Sequence, residues 1–179
     1  MDNHNRIYLD YAATTPLDER VLAAMLPYFS QAFGNPSSVH FFGQQAEAAL
    51  ERSRERVAAH FGARPDEIIF TSGGTESDNL AIRGTAFARM QKFGCRRILT
   101  TPVEHHAVLH TVEQLASLHG FKVEFLPVDS SGLVDPDDLC KAMDKDVALV
   151  SVIYANNEIG TINPMGEIGR VCREFGVPL

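Results

Sequence analysis

The chain has 179 residues, a net charge of −7 and a composition of 45% hydrophobic and 22% charged residues, enough for one folded α/β core. Its acidity gives nucleic acid no electrostatic footing; no apolar run approaches the roughly 20 residues that span a bilayer, and the polar start Met1-Asp2-Asn3-His4-Asn5 lacks a leader's apolar core. The expected address is cytoplasmic, with neither nucleic acid nor membrane as partner. Cys95, Cys140 and Cys172 form no C-x-x-C pair, so idle or buried thiols are expected, not a zinc site or disulfides.

In chain order, Ile7 to Tyr11 reads as a short extended segment. Thr15 then serves as N-cap of a helix, with Pro16 at its first position and Asp18 reaching back in a capping box. That helix is expected to bury Leu22, Met25, Leu26 and Phe29. Gly34-Asn35-Pro36-Ser37-Ser38 breaks into a loop. A charged helix from residue 44 to 61 follows, turning Ala46, Leu50, Val57 and Phe61 inward and closing at Gly62.

Ile68, Ile69 and Phe70 read as a buried strand running into Gly73-Gly74 and a helix over 75–89, with Leu80, Gly84 and Phe87 on its inner face. Beyond it come a strand at 97–101, a helix at 106–119 with Leu109, Val112, Leu115 and Ala116 inward, and a strand at 123–127. A short helix starts at Asp135-Pro136, an apolar strand spans 147–154, and a helix over 164–175 buries Ile168, Cys172 and Phe175 before Gly176. Such alternation with apolar strands predicts an α/β fold, a mostly parallel sheet with helices on both faces.

Ligands of such sheets collect beyond the carboxyl ends of the strands. Three loops there are expected to converge: 71–75, 102–106 and 155–160. The first, Thr71-Ser72-Gly73-Gly74-Thr75, reads as a phosphate cradle of unpaired N–H groups at a helix start, or as an ordinary tight turn. It has neither the Lys of a P-loop nor the spacing of a dinucleotide fingerprint. In the second, His105 suits a general acid or base, an aromatic plate or a metal ligand; His106 and His110 have metal spacing but no local third ligand, so solvated histidines are the plainer reading. Asn156-Asn157-Glu158 reads either as an Asx-turn or as an amide donor for a ligand oxygen. Together a cradle, an imidazole plate and an amide donor describe a site for a phosphorylated aromatic cofactor.

With those loops, Tyr8-Leu9-Asp10-Tyr11-Ala12-Ala13-Thr14-Thr15-Pro16, Gly34-Asn35-Pro36-Ser37-Ser38-Val39-His40, Glu104-His105-His106-Ala107-Val108 and Asn156-Asn157-Glu158-Ile159-Gly160 stand in one order. In them the chain resembles the amino-terminal part of the cysteine desulfurases, pyridoxal-phosphate (PLP) enzymes of aminotransferase class V and fold type I. The resemblance implies residues 1–15 as a segment of the small domain and 16–179 as the first part of the PLP-binding large domain. It implies that Gly74 and Thr75 bind the PLP phosphate, that His105 stacks on the ring and moves protons, and that Asn157 bonds near the phenolic oxygen and the substrate carboxylate. Implied partners are L-cysteine as substrate, a second copy in a homodimer, and sulfur-acceptor or scaffold proteins of iron–sulfur assembly or thiolation. Asp78 departs from the family's usual Asn and adds negative charge one turn beyond the phosphate, expected to weaken the cradle slightly.

PLP chemistry needs a Schiff-base lysine, and desulfuration a cysteine nucleophile. The four lysines, Lys92, Lys122, Lys141 and Lys145, fall in helical or connecting segments that read as solvated. The family's pyridinium partner, lysine, arginine and cysteine loops come after the segment that matches Val177-Pro178-Leu179, so truncation is the expectation, with a gap between Ile68–Phe70 and the later strands. The alternatives are another class V enzyme, such as a selenocysteine lyase or an aminotransferase, or a truncated non-catalytic paralogue that binds a partner.

Overall fold

A computed structural model describes residues 6–179, which fall into two compact units, one ending at Phe70 and the other Thr71–Leu179; Met1 to Asn5 lie outside the described residues. In the first unit, α1 (Glu19–Ser30) is capped by Asp18 and not by Thr15: its carboxylate accepts the Arg20 N–H at 2.8 Å and pairs with the Arg20 guanidinium at 2.7 Å. A carboxylate offers a helix start both a hydrogen-bond acceptor and a charge that suits the dipole, which displaces the start three residues past the expected cap.

The expected burial of α1 is overturned: Leu22, Met25, Leu26 and Phe29 are 43%, 39%, 55% and 72% exposed. An apolar stripe specifies a face and not its cover, and no element among the described residues of this unit covers it. Helix α2 (Phe41–Phe61) starts earlier than the sequence suggests because His40 caps it, its Nδ1 accepting the Gly43 N–H at 3.3 Å. Ala46 and Val57 are half-buried, whereas Leu50 and Phe61 are exposed; Gly43 and Ala58 form the buried contacts of α2. A Cβ at Gly43 would stand 2.1 Å from the Ser38 carbonyl oxygen, so the loop before α2 closes only on glycine. Gly62 ends the helix at φ 64°, as expected.

After a 3-10 turn at Pro65–Glu67, the expected strand at Ile68–Phe70 is extended but enters no ladder among the described residues. The Arg54 guanidinium donates to the Ile68 carbonyl and lies 5.0 Å over the Phe70 ring. With Ile69 67% exposed, this stretch is a strand by pattern that lacks a neighbour to pair with.

The second unit contains the parallel sheet. Its strands are β1 (Arg97–Thr100), β2 (Lys122–Phe125) and β3 (Val147–Val150), ordered β2-β1-β3. Helices α3 (Gly74–Phe93) and α4 (His106–His119) cover one face, where Ile82, Ala86, Val108, Val112 and Leu115 pack on Ile98, Ala148 and Leu149. On the other face, α5 (Pro136–Ala142) and α6 (Met165–Phe175) bring Leu139, Ile168, Val171 and Cys172 against Leu99, Val147 and Val150. A register shift between Arg97 and Ile98 puts Ala148 and Leu149 on one face together. The α/β expectation of a parallel sheet covered on both faces therefore holds.

Three face assignments change. The buried residues of α3 are Ile82 and Ala86, while Leu80 and Gly84 are exposed, because Leu80 lies about 160° around the helix from Ile82. Phe87 is half-buried, its ring edge-on to Phe121 with centroids 5.9 Å apart. Phe175 is 45% exposed at the end of α6. The strand expected over 147–154 ends at Val150, whose N–H donates to Pro178 at 3.0 Å while Ser151 donates to Leu99 at 2.9 Å, so the two edges of β3 receive different partners. Cys95 and Cys172 are buried and Cys140 exposed, all as free thiols.

Leu115→Ala should cost the second unit about 3 kcal/mol, since Leu115 is fully buried between α4 and the sheet. Phe29→Ala in α1 should cost under about 1 kcal/mol. Urea unfolding followed by circular dichroism measures both.

Candidate functional site

Helix α3 opens at Gly73-Gly74, where a Cβ on either glycine would meet nothing within 4 Å. The N–H groups of Gly74, Thr75 and Glu76 have no acceptor among the described residues, and that of Ser77 returns to the Gly73 carbonyl at 3.1 Å. Hydroxyls hold the turn: Thr71 Oγ1 and Ser77 Oγ lie 2.6 Å apart. Ser72 donates to the Glu76 carboxylate from its N–H at 2.7 Å and its hydroxyl at 2.6 Å, which holds the Glu76 carboxyl below its ordinary range. Three free donors, no obstructing Cβ and a helix dipole suit a phosphate.

His105 caps α4, its Nδ1 accepting the Ala107 N–H at 3.1 Å. In the neutral ring that bond leaves the proton on Nε2. A cleft of about 430 Å³ between α3 and α4 is lined by Thr75, Asn79, Arg83, His105, His106 and His110. Another, of about 270 Å³, is lined by Glu104, His105, His106, Asn156, Asn157 and Glu158. The three expected loops thus meet in pairs, with His105 and His106 as the walls common to both clefts.

Within 155–160 the two readings of the sequence separate. Asn156 is the turn former, its Oδ1 accepting the N–H groups of Glu158 at 2.9 Å and Ile159 at 3.0 Å. Asn157 is exposed on the cleft wall, its amide unbonded among the described residues. The turn itself rests on a second one, where Gly132 takes φ 81° and an added Cβ would stand 2.6 Å from Ile159 Cδ1.

Sequence reading gave no separate role to the buried polar groups beneath. Glu104 is 8% exposed, and its Oε1 accepts the Thr101 hydroxyl at 2.9 Å and the Ile153 N–H at 2.6 Å. Burial pushes its carboxyl up, against the pull of the Ile153 N–H. Asn163 is buried as well; it accepts the Val134 N–H at 3.0 Å and donates to the Ile153 carbonyl at 2.8 Å. The available signal was a carboxylate directly after an apolar strand, three residues beyond a threonine. Asp78 is half-buried and lines a separate groove of about 410 Å³ with Ile82, Val108 and Leu149, not either cleft. None of the four lysines lines either cleft. The His106 and His110 rings stack with centroids 5.4 Å apart, and no group of three or more possible metal ligands is found among the described residues.

The aminotransferase class-V family matches residues 7–179. The chain belongs to that family. It is 53% identical over 171 residues to cysteine desulfurase IscS of Dictyoglomus turgidum, covering 96% of this chain and 43% of that protein. Against the mitosomal cysteine desulfurase of Encephalitozoon cuniculi it is 47% identical over 173 residues, 96% of this chain and 40% of the relative. Among solved structures, a NifS-like protein aligns with a TM-score of 0.88 and 44% identity over 95% of this chain and 46% of the other. SspA in complex with cysteine aligns with a TM-score of 0.88 and 40% identity over 96% and 48%. The chain therefore spans less than half the length of these class V relatives, and its likeness is to their amino-terminal part.

Burial raises the Glu104 carboxyl in the folded state, so its contribution is fully present below the ordinary glutamate range and is lost as pH rises through the raised value. Glu104→Gln removes that dependence. The stability of the Gln variant relative to wild type should grow as pH rises above the ordinary glutamate range of about 4, as read by urea midpoints; a shrinking difference would mean that the carboxylate is the favoured form.

Proposed function

We propose that this chain is the amino-terminal part of a cytoplasmic PLP-dependent cysteine desulfurase, residues 1–15 belonging to its small domain and 16–179 to its large one. The whole enzyme takes sulfur from L-cysteine, leaving L-alanine and an enzyme persulfide that serves iron–sulfur assembly or thiolation through acceptor or scaffold proteins. It works as a homodimer. The observation that carries the reading is His105, a wall shared by the cleft holding the α3 N-terminus and the cleft holding Asn157.

When bound, PLP supplies the electron sink that carbon–sulfur cleavage requires. The chain's own residues hold it. The N–H groups of Gly74 and Thr75, with the Thr75 hydroxyl, bind the phosphate where the α3 dipole favours negative charge. His105 offers a ring face for stacking and, with Nδ1 committed to α4, exchanges a proton at Nε2. The Asn157 amide orients an oxygen of the ligand. None of the four lysines lines this site, so this part holds PLP without covalent attachment and is inactive alone.

Titrating the chain with PLP should shift the cofactor's absorbance with one molecule bound per chain, and borohydride should leave no adduct by mass spectrometry. Thr75→Val and His105→Ala should each weaken binding roughly tenfold, the worth of one charge-assisted bond or one stacking contact. If the chain binds no PLP even when a relative's carboxy-terminal half is supplied, the cofactor reading is wrong.

A further inference from the structure

Glu104 stands immediately before His105 and lines the second cleft, yet its Oε1 is taken up by donors inside the protein. Thr101, one of its two donors, follows β1; Ile153, the other, is three residues beyond β3 and three before Asn156. One carboxylate oxygen therefore spans the exits of two adjacent strands, each of which delivers one wall of the same cleft.

Around that oxygen the two loops are tied once more, and Ile153 is held a second time. Asn156 donates to the Val103 carbonyl at 2.8 Å, and Asn163 holds the Ile153 carbonyl from behind. Ile153 thus has its N–H on Glu104 and its carbonyl on Asn163, which fixes the peptide groups on either side of it. A buried carboxylate is costly to keep, because desolvation disfavours its charge, and Asp78 on α3 raises that cost. An apolar residue of similar size would escape the cost but would strip the Ile153 N–H of its acceptor.

We propose that Glu104 is the positioning residue of this site, setting the placement of His105 relative to Asn157 by holding the β1 and β3 exits through a single oxygen. The function of the placement rests on the PLP reading; the tie does not. It is the acceptor that matters, not the charge, so glutamine in this place performs the same task and leucine does not.

The test uses the full chain with no ligand. In Glu104→Leu, the Ile153 amide should exchange about 100-fold faster, and the His105 ring and Asn157 side-chain amide resonances should shift together. The Val112 and Leu115 amides, in the core of α4, should stay protected. Glu104→Gln should restore every signal. With PLP added, affinity should fall at least tenfold in the Leu variant and stay within about twofold of wild type in the Gln variant.

Unmoved His105 and Asn157 signals in Glu104→Leu would overturn the proposal. So would a Gln variant that behaves like Leu, or loss of Val112 and Leu115 protection in step with the loops, which would make Glu104 a general support of the fold. If the ligand-free signals respond as stated but wild type binds no PLP, the tie stands and the cofactor reading falls.

Discussion

Burial of β1 on both faces is the constraint from which the second unit is built. Ile98 packs into the layer under α3 and α4, and Leu99 into the layer under α5 and α6, both fully buried. A strand covered on both sides needs a helix after it to return the chain, and each return places a loop at the same end of the sheet. The clefts are lined by those loops because the sheet is parallel; β1 and β3 are buried over most of their length, whereas the edge strand β2 carries Lys122 and Glu124 and is largely exposed.

The first unit shows what the same sequence logic yields when a covering layer is not there. Its helices have the expected apolar stripes, yet α1 has no buried residue and α2 has only Gly43 and Ala58. Local signals, capping acceptors and closing glycines, suffice to write a helix. They contribute little to a core, and the hydrophobic term that dominates stability is collected mainly in Thr71–Leu179.

How much was legible follows from which forces are local. Helix α4, the start of α5 at Asp135-Pro136 and the closing glycines at 62 and 176 were readable because each depends on neighbours in sequence. The strand at 68–70 was not, because a ladder needs a partner that no local pattern reveals. His40 and His105 as helix caps escaped notice since Ser, Thr, Asp and Asn dominate that position. At the site, His105 and the glycine turn stood out by residue type, and the division of labour between Asn156 and Asn157 did not: side-chain bonds to Glu158, Ile159 and Val103 decide it. Glu104 was visible as a letter in a motif, but its task is defined by Ile153, 49 residues away.

The turn at Gly132 gives that distance a further meaning. Its missing side chain is the space that Ile159 fills, and the Thr161 hydroxyl reaches the Ser131 carbonyl beside it. The loop that presents Asn157 is therefore moulded by a turn that contributes no group to either cleft. A substitution in that turn can thus reshape the wall of a cleft that the turn itself does not line.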